Sequence, residues 1–215
     1  MARTSRRDRT KALLDRHGST FAEEAGIRLR DKPAPLYQLL VLATLLSARI
    51  SAEHGVRATR ALKKRFATPR KMADATWQQR VDVLTRHGYK RFDESAARML
   101  GDGARRVLDE YDGDLRKLRE AADGDEREAM RRLRAFKGIG EIGAAIFLRE
   151  VQGIWEEFRP FADDRVLRAA RRLDLGSGAD ALARLVEGDA LPRLEAALVR
   201  VDLADAYDEV WAEAG

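Results

Sequence analysis

The chain has 215 residues, 45% hydrophobic and 36% charged, the composition of a folded globular protein and not of a disordered one. It has no cysteine, which excludes disulfides, thiolate zinc sites, cysteine nucleophiles and cysteine-held iron–sulfur clusters. A formal net charge of +5 fits a polyanionic partner such as nucleic acid, and fits solvated helix faces equally well.

The N-terminal stretch "MARTSRRDRTKALL" is basic but lacks the apolar core and small-residue cleavage site of an export signal, so a cytoplasmic protein is expected. From there on the chain reads as helix after helix. Alanine, leucine, arginine and glutamate dominate, glycine and proline punctuate, and no run alternates strictly between apolar and polar. Residues 36–48, "LYQLLVLATLLSA", are apolar on nearly every side. They are too few to span a bilayer, which takes about 20 residues, and must be wrapped by other helices. Between 94 and 110, Ala97, Leu100, Ala104, Val107 and Leu108 recur at helical spacing, and between 192 and 203 Leu194, Ala197, Leu198 and Val201 do the same. Residues 143–148 read as a second buried helix. Trp77, Trp155 and Trp211 are assigned to the core, and the fold is read as all-α. His17, His54 and His87 fit no local metal spacing.

"FKGIGEIGAAIFL", residues 136–148, is the most informative string. Gly138 and Gly140 bracket Ile139, and Glu141 opens the next helix. Residues without Cβ let the main chain approach a ligand closely, and the free N–H groups of a helix start form an anion site. Gly138, Ile139, Gly140, Ile142 and Gly143 are therefore the candidate holders of a DNA phosphate. Taken by itself, the string fits a plain connection between two helices better. Downstream, "FRPFADDRVLRAARRLDLG", residues 158–176, delivers Asp163 and Asp164 to the start of a basic helix.

The wrapped segment 36–51, the glycine hairpin and the aspartate loop, in this order, resemble the helix-hairpin-helix DNA glycosylase superfamily, the endonuclease III-like fold. The resemblance covers roughly residues 36–175. It implies an all-α protein of two helical lobes with a cleft between them: 36–149 as a helical barrel containing the hairpin, and 1–35 with 150–215 as the second lobe. It also implies a base-excision enzyme that hydrolyses the N-glycosidic bond of a flipped, damaged base in double-stranded DNA, working as a monomer with no cofactor. Asp163 best matches the catalytic aspartate, because Val166, Leu167 and Arg168 then follow as the family pattern requires. Asp164 is the competitor, since the alkylpurine-excising branch uses the second of paired aspartates.

Two departures from the family pattern matter. Where bifunctional members carry a Schiff-base lysine, four residues past the first hairpin glycine, this chain has Ile142, so a monofunctional enzyme without AP-lyase activity is implied. The C-terminal cysteine cluster of many relatives is missing, so that lobe is expected to close by packing alone. The resemblance further makes Arg49 a candidate to fill the gap left by the flipped base, and Tyr89 or Phe92 the wedge against the opposite strand. It also assigns the backbone carbonyls of Arg134, Phe136 and Ile139 to a monovalent cation. A non-catalytic DNA-binding protein of the same fold, its aspartates merely capping a helix, is the alternative.

Overall fold

A computed structural model describes residues 5–215. Among them there are helices and no strand. In order they are α1 (Arg6–His17), α2 (Phe21–Glu24), α3 (Pro33–Leu46), α4 (Ala52–Arg65), α5 (Pro69–Asp74), α6 (Trp77–Arg86) and α7 (Asp93–Tyr111). Then come α8 (Arg116–Ala122), α9 (Glu126–Arg134), α10 (Glu141–Val151), α11 (Asp164–Arg172), α12 (Ala179–Ala183), α13 (Leu191–Ala204) and α14 (Tyr207–Ala214). No helix among the described residues is long and apolar enough to cross a membrane. The chain forms two compact units, Ala22–Leu148 and the residues up to Phe21 together with Arg149–Gly215. Residues 22–35 thus join the central unit, where the sequence reading placed them with the termini.

The central unit is built around α3. Pro33 and Pro35 suit its first turn, where an N–H has no intrahelical partner to lose. Behind them Leu36, Leu39, Leu42, Ala43 and Leu45 have no exposed surface, so the all-round apolar helix is indeed enclosed. Helices α4 and α7 pack on it, and α5 and α6 pack on α7. One cation holds that packing together. Arg80 is buried, and its guanidinium donates to the carbonyls of Ala97 at 2.8 Å, Met72 at 2.9 Å and Ala75 at 2.6 Å. Burial lowers its pKa from the ordinary guanidinium value, with the charge of Arg105 acting in the same direction. The mid-helix glycine Gly101 makes room for it, since a Cβ there would lie 2.6 Å from Nη2 of Arg80. Helices α7, α8 and α13 all stop on an aspartate in the left-handed region (Asp112, Asp123, Asp205), a conformation that short polar side chain tolerates.

In the terminal unit α13 is the inner helix, and α1 and α11 pack on it. Its residues Leu194, Ala197, Leu198 and Val201 have no exposed surface, as their spacing predicts. The C-terminus does not close by packing alone. Asp202 accepts from Arg165 and Arg168, each at 3.0 Å, and from the Tyr207 hydroxyl at 2.7 Å. Arg172 lies 3.7 Å from the Tyr207 ring and pairs with Asp205 at 3.0 Å. Arg16 pairs with Glu209 and Glu213 of α14. Of the three tryptophans only Trp155 is core. Trp77 and Trp211 are 37% and 36% exposed, each with a guanidinium over its ring, Arg98 at 5.7 Å and Arg9 at 4.5 Å respectively.

Candidate nucleic-acid and catalytic sites

In the central unit, α9 is capped by Asp125, whose carboxylate accepts from the N–H groups of Arg127 at 2.8 Å and Glu128 at 3.2 Å. It ends at Arg134, and the Ile139 N–H then closes a turn onto the Phe136 carbonyl at 3.0 Å. Phe136 and Ile139 are both buried, which fixes the turn to the core. The glycines differ in what they do. Gly138 has φ +90°, and a Cβ would meet Met99 Sδ at 2.5 Å, so the fold itself requires it. At Gly143 a Cβ would fall 2.2 Å from Ser47 Oγ, so that glycine serves the packing of α10 on the end of α3. Gly140 meets nothing within 4 Å. No contact within the fold demands glycine there, and it leaves bare backbone beside the first turn of α10. The early N–H groups of that helix, Glu141 to Gly143, lack intrahelical acceptors, as at any helix start. Ile142, 68% exposed, projects into solvent from the same turn.

Two other loops meet this end of the central unit. The turn after α3 begins at Ser47 and carries exposed Arg49. The loop after α6 is tied to the same place, because the Tyr89 hydroxyl donates to the Leu45 carbonyl at 2.9 Å and Arg57 Nε donates to the His87 carbonyl at 3.1 Å. Arg49, Lys90, Arg91 and the hairpin therefore lie on segments that share the Leu45–Ser47 end of α3. Phe92 is half-buried, with the Arg91 guanidinium 5.3 Å from its ring. Tyr89 is not a wedge: it is 1% exposed, its hydroxyl is committed to Leu45, and burial raises its pKa far above the ordinary phenol value. Arg134, Phe136 and Ile139 present carbonyl oxygens of the kind a hard monovalent cation takes. That of Phe136 already accepts the Ile139 N–H at 3.0 Å.

Asp163 belongs to the terminal unit. Its extended backbone makes it the N-cap of α11, and Oδ1 accepts from the Val166 N–H at 3.0 Å. Oδ2 pairs with Nη1 of Arg149, whose side chain is 4% exposed against 16% for Asp163. Asp164, the first residue of α11, is exposed. Behind this pair lies a buried polar cluster that the sequence reading missed. Gln152 and Glu195 have no exposed surface. The Gln152 amide accepts from the Phe161 N–H at 3.0 Å, and donates to the Phe161 carbonyl at 3.0 Å and to Glu195 Oε2 at 2.6 Å. Burial pushes the Glu195 carboxyl well above the ordinary carboxylate range, while the Arg149 charge opposes that rise. One signal was readable. Glu195 stands one turn before Leu198 and Val199 and one turn after Leu191, on the stripe that α13 buries. Among the described residues no group of three or more His, Cys, Asp or Glu is placed to hold a metal ion.

No family model and no curated protein sequence matches the chain. Solved structures do. The chain is similar to a trapped endonuclease III–DNA covalent intermediate in an estranged-adenine complex, with a TM-score of 0.51 and 15% identity over 92% of this chain and 85% of that one. A non-covalent endonuclease III–DNA complex gives a TM-score of 0.53 and 16% identity, covering 89% and 81% of the two chains. A thermostable thymine-DNA glycosylase gives 0.53 and 17%, covering 90% and 87%. At such identities the likeness speaks for architecture, and the architecture is the all-α endonuclease III-like fold.

Proposed function

We propose that the protein is a monofunctional DNA glycosylase of base-excision repair, acting as a monomer in the cytoplasm on double-stranded DNA with a damaged base. The observation that carries this reading is Asp163. It is a helix-capping aspartate that follows a glycine hairpin, in a chain with the endonuclease III-like fold. Bare backbone at Gly140 and the N–H groups opening α10 suit a phosphate oxygen, and contacts of that kind position DNA without reading its sequence. Arg49 and Phe92, exposed and half-exposed on neighbouring segments, suit the gap and the opposite strand. A monovalent cation on the carbonyls of Arg134, Phe136 and Ile139 would add positive charge beside that phosphate.

The chemistry asked of Asp163 is modest. The bond from sugar C1′ to the base nitrogen breaks with its electron pair leaving on the base, and positive charge develops on the sugar. The carboxylate stabilises that charge and orients a water, whose oxygen bonds to C1′ as it gives up the proton that the departing base takes up. Ile142 offers no amine at the position of the family's lysine, so water is the nucleophile of this reading, and Lys137, on the other side of the turn, pairs with Asp102 at 3.6 Å. One observation favours a second reading, a DNA-binding protein without catalysis. Both Asp163 oxygens already have partners, in Val166 and Arg149, which a purely structural cap also explains.

Excision on labelled duplexes decides. Each carries one lesion (an alkylated purine, hypoxanthine, uracil or an oxidised pyrimidine), with and without hot alkali, for the parent, Asp163→Asn and Asp164→Asn. Cleavage only after alkali, lost in Asp163→Asn and kept in Asp164→Asn, is the expected result. Salt-sensitive duplex binding with no excision of any lesion would establish the second reading.

A further inference from the structure

Gln152 sits one residue past α10 and does what a neighbouring strand would do. Its side-chain amide pairs with both the N–H and the carbonyl of Phe161, each at 3.0 Å. Phe161 lies two residues before Asp163 on the loop that leads into α11. The orientation of the amide is not free. Its nitrogen faces three acceptors, the Phe161 carbonyl, Glu195 Oε2 at 2.6 Å and the Arg149 carbonyl at 3.2 Å, so its oxygen must face the Phe161 N–H. Glu195 comes from α13 and has no exposed surface, and nothing in helix formation calls for a carboxyl among Leu194, Leu198 and Val201. A buried amide and a buried carboxyl cost free energy unless they are engaged, and here the amide is engaged with the aspartate loop and the carboxyl, through Oε2, with the amide.

We infer that Gln152, oriented by Glu195, is a positioning residue that holds the Phe161–Asp163 loop so that the Asp163 carboxylate stays at its place on α11 and Arg149. The inference rests on the glycosylase reading for its effect on rate, and on geometry alone for its effect on the loop. Gln152 touches no reacting atom in this scheme. It acts through the backbone of Phe161.

The test uses the full chain with Gln152→Leu, Gln152→Asn, Glu195→Leu and Glu195→Gln. Single-turnover excision and duplex affinity are measured together with amide hydrogen exchange at Phe161, Val166 and Leu198. Displacing a catalytic group by an ångström costs about 10²-fold in rate. Gln152→Leu is therefore expected to slow excision by about that factor with duplex affinity unchanged. It should also speed exchange at Phe161 and Val166 while leaving Leu198 as in the parent. Glu195→Gln keeps an acceptor for the Gln152 amide and is expected to stay near parent rate, whereas Glu195→Leu should behave like Gln152→Leu. Gln152→Asn is too short to span to Phe161 and supplies the same split should the leucine variant fail to fold. Exchange accelerated equally at all three amides would mean a general packing role and overturn the inference, as would parent-like excision by Gln152→Leu. Absence of excision by the parent would sink the glycosylase reading instead, and the exchange pattern would then decide the positioning role by itself.

Discussion

Arg149 and Asp163 form an ion pair in which the cation is the more deeply buried partner, 4% exposed against 16%. The aspartate can still reach solvent at one edge, and the arginine depends on it for compensation. Removing one member of a buried pair is expensive because it strands the other. Arg149→Met and Asp163→Asn are each expected to lose about 2–4 kcal/mol in urea unfolding, at the lower side of the buried-pair range because Asp163 is partly wet. The combined variant should lose clearly less than the two costs added, since neither charge then lacks its partner. Strict additivity would mean the two side chains do not interact in solution.

Glu195 gives a pH dependence of known sign. Burial makes its carboxyl titrate higher in the folded protein than the ordinary glutamate value of 4.5. Above 4.5 and up to the raised value, the folded state holds a proton that the unfolded state has lost, so stability falls as pH rises through that window. Glu195→Gln cannot ionise, and its advantage over the parent should grow steadily from pH 5 upward in thermal unfolding. Asp202 works in the opposite direction at lower pH. Burial would raise its pKa, but the hydrogen bonds from Arg168 and Tyr207 and the charges of Arg168 and Arg165 bring it below the ordinary aspartate value of 3.8. Its contribution is complete above 3.8 and is lost as pH falls through the lowered value. The difference between parent and Glu195→Gln isolates the first effect from the second.

Gly101 tests the packing account of the central unit. An exposed mid-helix glycine replaced by alanine gains about 0.5–1 kcal/mol from helix propensity. Here the new Cβ would meet Arg80 at 2.6 Å, and Arg80 cannot swing away without giving up three carbonyls. Gly101→Ala should therefore destabilise, by about 1–3 kcal/mol as overpacking does. In an Arg80→Met background the same change should cost little or turn favourable. Chemical denaturation of the four proteins completes the comparison.

What the chain order made legible, and what it hid, follows from how each feature is encoded. The enclosure of α3, the buried stripe of α13 and the tight turn at Gly138 are periodic or steric, and a one-dimensional pattern carries them. The Asp163 cap is local as well, three residues from the N–H it accepts. Tyr89 misleads because its hydroxyl finds Leu45, 44 residues earlier, and an aromatic residue beside a glycine looks alike whether it points in or out. Trp77 and Trp211 mislead because stacked arginines cover them without burying them. Gln152 and Glu195 meet across 43 residues, and only the misplaced charge on the apolar stripe of α13 hinted at the pairing.

Gly140 separates the phosphate reading of the hairpin from a plain helical connection. Alanine at Gly138 must adopt φ +90° against Met99, so Gly138→Ala is expected to destabilise the turn whatever the hairpin does. Alanine at Gly140 has open space around it, and unfolding should show Gly140→Ala as stable as the parent or slightly more so. If the bare backbone there accommodates a phosphate oxygen, a methyl group intrudes on the ligand and on nothing else. Duplex affinity should then fall about 10-fold, the 1.4 kcal/mol scale of one lost polar contact, with the salt dependence otherwise kept. Parent-like affinity in Gly140→Ala, measured at fixed salt on a folded protein, would leave the hairpin as a connection between α9 and α10 and move the search for the DNA-binding surface to the Arg49 and Arg91 loops.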